Sequence, residues 1–284
     1  MPSTSETDQI WTTTRVKETL PKREDSSHKG TFGTGLLVAG SRDMPGAALL
    51  SGIGAMRSGI GKLEIATEPE VISLMVSTLP EATYIRSGLQ KIADGLIDLS
   101  SYRAVAIGPG ILPDRFTEQA IENTMDGDCP VVLDAGALSR RKYPERSAPI
   151  ILTPHPGEFS RITGVEPEDL RGHRSYYVAE LAIQLGVTIV LKGNQTVIAF
   201  PDGDAWINPT GNPALAKGGT GDTLTGMLLG MLCCHEDWRH AVLNAVFLHG
   251  ACADKWAETR SAHTLLAHEI TNFLPEVWKS FETK

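Results

Sequence analysis

The chain has 284 residues, 41% hydrophobic and 21% charged, with a formal net charge of −8. That length suits one large α/β domain or two small ones and gives ample material for a core. The composition is that of a globular protein, and the acidic balance argues against a nucleic-acid partner while leaving local phosphate binding open.

In chain order, residues 1–30 read as a polar, charged extension anchored on the main body by Trp11 and Leu20. The opening MPSTSETDQIWTTTRVKETLPKR has no apolar core of the signal-peptide kind. Gly30-x-x-Gly33-x-Gly35 comes before the first strand. A dinucleotide-binding fingerprint follows a strand, opens a helix and is longer, so a Rossmann oxidoreductase is rejected. Leu36–Ala39 reads as a strand, and Gly46–Gly59 as a helix of small residues suited to close packing. Leu63–Ala66, Ala104–Ile107, Val131–Leu133, Ile150–Leu152 and Thr188–Leu191 read as further strands. Short apolar strands alternating with helices predict a mostly parallel sheet covered on both faces. Thr196–Phe200 and Ala205–Ile207 flank Pro201-Asp202-Gly203-Asp204, a hairpin turn. The end is helical: Thr223–Cys234, Trp238–Glu258 and Ala262–Phe281. No repeat, low-complexity tract or linker interrupts residues 1–284, which read as one domain. No apolar run reaches the roughly 18 residues of a membrane span, so no membrane partner is expected. Cys129, Cys233, Cys234 and Cys252 form neither a CxxC pair nor a zinc pattern. A chain this large needs no disulfide staples, and a reducing cytoplasm is the expected setting.

Ligands of such sheets bind beyond the C-terminal strand ends. Five ends carry polar or glycine-rich sequence, which points to a crevice: Ala39-Gly40-Ser41, Gly108-Pro109-Gly110, Asp134-Ala135-Gly136, Thr153 to Glu158 and Lys192 to Thr196. The most informative stretch is NPTGNPALAKGGTGDTLTGM, residues 208–227. Gly218, Gly219 and Gly221 make a turn whose N–H groups can close on a phosphate, and the helix that follows points its positive end there. Asp222 in that turn has two readings. It caps the helix, or it is a general base taking a proton from a hydroxyl that attacks a terminal phosphate. His155, fixed between two prolines, is either structural or a substrate contact. Glu158 is either a first-turn acid favoured by the helix dipole or the organiser of a metal-bound water. Gly108-Pro109-Gly110 is either a plain turn or a floor for a flat ligand. Lys192-Gly193 adds a second phosphate-facing element.

The blocks KGTFGTGLLVAGS, MPGAALLSGIGAMRSGIGKL, AIGPG, VVLDAGAL, ILTPHPGEF, VLKGNQTVI and NPALAKGGTGDTLTGML occur in this order. Together they resemble the ADP-dependent NAD(P)H-hydrate dehydratases, a branch of the ribokinase-like superfamily, from about His28 to the C-terminal helix. The resemblance implies a three-layer α/β/α fold and repair of the S form of hydrated NADH or NADPH, with ADP (or ATP) as co-substrate and Mg2+. It implies that Lys192, Gly193, Asn194, Gln195, Thr196, Gly218, Gly219 and Gly221 bind the nucleotide. Gly46, Ala47, Gly110, His155 and Asp222 would contact the hydrate, and Glu158 would reach the metal through water. A separate epimerase and a homotetramer are also implied; the aromatics Trp256, Phe273, Trp278 and Phe281 read as exposed, in keeping with an interface. Sugar kinases of the superfamily often carry Asn-x-x-Glu where this chain has His155-Pro156-Gly157-Glu158. The family often has DADAL where this chain has Asp134-Ala135-Gly136-Ala137-Leu138, which leaves the role of Asp134 open.

In the chemistry so implied, Asp222 deprotonates the ring hydroxyl as it attacks the terminal phosphate, and phosphate then leaves in place of hydroxide. The alternatives are a small-molecule kinase of the same fold, which releases a stable phosphorylated product, and a non-catalytic nucleotide sensor.

Overall fold

The computed structural model describes residues 9–282. Its frame is a ten-stranded sheet in the order β1-β10-β9-β8-β7-β6-β5-β2-β3-β4. The strands are β1 (Gln9–Ile10), β2 (Thr34–Val38), β3 (Lys62–Thr67), β4 (Thr83–Arg86), β5 (Ala104–Ile107), β6 (Val131–Leu133), β7 (Ile150–Leu152), β8 (Thr188–Leu191), β9 (Val197–Ala199) and β10 (Ala205–Ile207). All pairings are parallel except those of β9, which runs antiparallel to both β8 and β10. The hairpin expected around Pro201–Asp204 is this β9–β10 pair.

The central strands β2 and β5 to β9 are almost wholly apolar because both faces are covered. Leu37, Ala104 and Ala106 face one core; Leu36, Val38, Val105 and Ile107 face the other. Over the first core lie α1 (Thr13–Thr19), α2 (Pro45–Arg57), α3 (Pro69–Met75), α8 (Thr220–Cys234), α9 (Trp238–Ala257) and α10 (Ala267–Phe281). Over the second lie α4 (Gly88–Ala93), α5 (Arg115–Met125), α6 (Pro156–Thr163) and α7 (Arg174–Leu185). This is the three-layer α/β/α fold. Local sequence sets the helix starts: Asp114 and Asp237 accept hydrogen bonds from first-turn N–H groups of α5 and α9.

The small residues of α2 serve close packing, as their composition predicts. Gly54 backs onto Thr223, and Gly226 of α8 backs onto Ser51, with no room for a Cβ at either position.

Three expectations need correction. The N-terminal stretch is not simply a polar extension. Residues 9–19 form β1 and α1, and β1 covers the edge of β10. Trp11 is buried, and its indole N–H donates to Asn244 Oδ1 at 3.0 Å. Trp11 and Leu20 anchor the segment as expected, the first buried and the second packed against the same core; residues 1–8 of the expected extension lie outside the described residues. The aromatics of the C-terminal region are not an exposed set. Trp256 and Phe281 are buried, and Phe273 and Trp278 pack against the same core. Trp256 stacks edge-on with Phe273 at 5.8 Å and Phe247 with Phe281 at 5.9 Å. Last, α10 begins at Ala267 rather than Ala262. Glu269 accepts from the Leu266 N–H at 2.9 Å and sets the start there.

Candidate active site

β8, β7, β6, β5 and β2 are neighbours running the same way, so their five polar C-terminal ends share one sheet edge. Above this edge α8 starts. Gly219 is its N-cap residue, with φ of 86°, a conformation that glycine adopts without strain. It brings no side-chain cap to the free N–H groups of the first turn.

Asp222 is the third residue of α8. Its carboxylate makes no capping hydrogen bond, so the cap reading fails by geometry. Burial pushes its pKa up to about 6, Asp134 pushes the same way, and Lys192 opposes both. A half-buried carboxylate with that pKa is a competent base near neutral pH.

Lys192 stands where the sheet meets α8. Its Nζ donates to Asp134 Oδ1 at 2.9 Å and lies 3.9 Å from Glu158 Oε2. It is also only 3.2 Å from where a Cβ on Gly221 would sit. Burial draws its pKa down, but Asp134, Glu158 and Asp222 outweigh that and raise it, so it is a firm ammonium. Asp134 is 1% exposed and also accepts from Thr153 Oγ1 at 2.8 Å and Thr225 Oγ1 at 2.7 Å.

A cavity of about 330 Å³ opens beside this cluster. Lys192, Gly193, Asn194, Gln195, Thr196 and Gly221 line it. Gly218 and Gly219 are not on its wall; they form the turn that leads into α8. The loop after β8 is shaped from outside by Arg174 of α7. Its guanidinium donates to Asn194 O at 2.5 Å, Leu191 O at 3.1 Å and Lys192 O at 3.3 Å. Gln195 is held at φ of 53°. The opposite wall comes from the Asn208–Ala216 segment, pinned by Asp254. That carboxylate takes Gly211 N at 2.8 Å and Asn212 Nδ2 at 2.9 Å. His249 closes the floor, its Nε2 3.0 Å from Thr220 O.

Arg174, Asp254 and His249 were not read from sequence. Each acts on backbone far away in the chain, and no local pattern marks that.

The expected hydrate contacts lie outside this cavity. Gly110, with φ of 65°, packs so tightly on the start of α2 that a Cβ would meet Ala47 Cβ at 2.7 Å and Met44 O at 2.8 Å. Gly110, Ala47 and the exposed Gly46 therefore form one floor at the β2 and β5 ends. His155 is not free to contact a ligand with its whole ring. Its Nδ1 accepts from Gly157 N at 3.1 Å and Glu158 N at 3.2 Å, capping α6. Glu158 Oε2 takes the His155 N–H at 2.8 Å in return. The structural reading holds for one ring edge; Nε2, on a side chain 58% exposed, lies 3.5 Å from Glu158 Oε2. Among the described residues no group of three or more His, Cys, Asp or Glu is arranged to hold a metal.

The architecture is similar to that of a ribokinase-like superfamily protein from Enterococcus faecalis V583, with a TM-score of 0.85 over 97% of each chain at 26% identity. The fold is thus ribokinase-like. Residues 35–276 match the NAD(P)H-hydrate dehydratase family, and the chain belongs to it. It is 64% identical to the ADP-dependent (S)-NAD(P)H-hydrate dehydratase of Bacillus subtilis (strain 168), over 96% of this chain and 99% of that one. A Bacillus subtilis ADP/ATP-dependent NAD(P)H-hydrate dehydratase, co-crystallised with ATP and Mg2+, superposes with a TM-score of 0.96 at 62% identity, covering 98% of this chain and all of that one.

Proposed function

We propose that the protein repairs hydrated nicotinamide nucleotides. It dehydrates (S)-NADHX or (S)-NADPHX to NADH or NADPH, with ADP converted to AMP and phosphate. The observation that carries this reading is the uncapped, half-buried Asp222 at the amino end of α8, beside the 192–196 cavity, in a chain of this family.

The cavity takes the nucleotide, with Lys192 to Thr196 and Gly221 on its wall and Gly218 and Gly219 turning N–H groups toward the terminal phosphate. Gly46, Ala47, Gly110 and the exposed edge of His155 take the hydrate. Asp222 removes the ring hydroxyl proton as that oxygen bonds to the terminal phosphorus. The bond from that phosphorus to the bridging oxygen breaks, and AMP leaves. The ring nitrogen lone pair then expels phosphate from carbon, and loss of a neighbouring ring proton restores the dihydronicotinamide. The α8 amino end and Lys192 offset charge on the transferring group.

Glu158 fits a water-mediated role toward Mg2+. One of its oxygens serves the His155 N–H, and a hydrated Mg2+ held by nucleotide phosphates needs only one or two carboxylates. When bound, Mg2+ neutralises phosphate charge.

Residues 1–284 act as one domain, supported by the single sheet. The location is cytoplasmic, supported by four free, buried cysteines; no helix among the described residues is long and apolar enough to cross a membrane. The R hydrate is handled by a separate epimerase. A homotetramer rests on the family resemblance alone, now that the aromatics are accounted for, and light scattering against the 30.6 kDa chain mass tests it.

The deciding assay combines the protein, chemically hydrated NADH, Mg2+ and either ADP or ATP. Reduced-nicotinamide absorbance should return, with AMP and phosphate released in equal amounts from ADP. A stable phosphorylated product without regained absorbance would make the protein a small-molecule kinase instead.

A further inference from the structure

We propose that Asp134 is the positioning residue for Lys192. It fixes the ammonium against the amino end of α8 and leaves its remaining N–H groups directed to the nucleotide's terminal phosphates. The proposal rests on the nucleotide reading of the cavity.

The location of Lys192 is unfavourable on its own terms. A cation beside a helix amino terminus meets the positive end of the macrodipole. Nζ is within the first turn of α8, given its 3.2 Å approach to the Gly221 Cβ position. It is also largely withdrawn from water, with a side chain 20% exposed. A flexible four-carbon stem would not stay there without a partner.

Asp134 supplies that partner and is itself held rigidly. Thr153, at the end of β7, donates to the same Oδ1 that takes Lys192, and Thr225 donates to Oδ2. Thr225 belongs to α8, one turn beyond Gly221. The carboxylate therefore ties lysine and helix to each other rather than only to the sheet. Its full set of polar partners explains how it persists at 1% exposure.

An ammonium has three N–H groups. Asp134 takes one, and Glu158 at 3.9 Å is too far for a hydrogen bond. Lys192 lines the cavity, which leaves the others available to the phosphates of a nucleotide held there. Released from Asp134, the ammonium would settle on Glu158 or Asp222. In the second place it would neutralise the proposed base.

Calorimetric ADP affinity with Mg2+, in the absence of hydrate, tests this on the full chain. Asp134→Asn and Lys192→Met should each weaken ADP binding about tenfold, the scale of one charge-assisted hydrogen bond. The double variant should bind no worse than the weaker single, because both changes remove one unit. Asp134→Asn within twofold of the parent, or a double variant whose loss is the product of the two, overturns the proposal. If Asp134→Asn does not fold, Thr225→Val serves. It keeps the charge and frees Oδ2, and it should weaken ADP severalfold only where Lys192 is intact; equal effects with and without Lys192→Met overturn the idea. Parent protein that binds ADP but leaves hydrate unchanged defeats the dehydratase reading and spares this one. Parent protein that does not bind ADP defeats this one.

Discussion

Gly226 of α8 lies directly on the carbonyl of Ser51 in α2: a Cβ built on Gly226 would be 1.9 Å from that oxygen. The contact sets how closely α8, and so Asp222 one turn before Gly226, approaches the sheet. Gly226→Ala must push the two helices apart. Overpacking of this kind costs about 1–3 kcal/mol, and here backbone is what must move, so the upper end is expected. Urea unfolding should show it. Gly46→Ala is the control in α2, since nothing lies within 4 Å of a Cβ there. It should change stability by less than about 1 kcal/mol and report its substrate role through KM alone.

Asp222→Asn should remove most turnover and make the fold more stable. Loss of a general base costs about 10²–10⁴-fold in rate. The stability sign follows from the raised carboxylate pKa. The folded state favours the protonated form, so that contribution is present at low pH and is lost as pH rises through about 6. Near pH 7 the charged Asp222 is therefore a cost, of about 1–2 kcal/mol after allowing for solvent screening. Asn removes it. A Tm a few degrees above the parent, with normal ADP affinity, is the expected pair of results. Near-normal kcat would end the general-base mechanism.

The pH profile of kcat/KM should have an acid limb near pH 6, with activity lost below it as Asp222 gains its proton. The nucleotide's own phosphate titrates nearby. ADP affinity measured across the same range separates the two, because only the Asp222 limb remains after correction for binding.

His155 has two separable parts. His155→Ala should cost about 1 kcal/mol through the lost α6 cap, and His155→Asn should recover most of it. Both should raise KM for the hydrate more than for ADP, since both lose the exposed Nε2 edge. A rise in the ADP KM alone would move this loop to the nucleotide.

Two buried histidines set the acid stability. Burial lowers the pKa values of His235 and His249 from 6.5 to about 4. Between those limits the unfolded chain binds more protons, so stability falls as pH drops. Asp222 works the other way over a similar interval, but it is one group against two. Tm should fall between pH 7 and pH 5, and His235→Gln should flatten that slope. A flat profile in the parent protein would contradict this account.

Much of this was legible in the sequence because it is local. β5, β6, β7 and β8 are short apolar runs ended by Gly, Pro, Asp or Lys, and their bounds could be read directly. So could the glycine turn before α8, since Gly219 must take a positive φ there, and the small-residue helix that packs on Gly226. The strand β4 was not read: it lies at the sheet edge, half-exposed and without an apolar run. The sequence determined which residues carry acid, base and turn chemistry. Only the tertiary structure decided what each is bonded to. It denied Asp222 a capping bond and set His155 as the cap of α6. It also joined Asp134 to Lys192 across 58 residues of chain. Those outcomes depend on distances between strand ends and helix starts. The order of strands in the sheet fixes such distances, and no local pattern encodes that order.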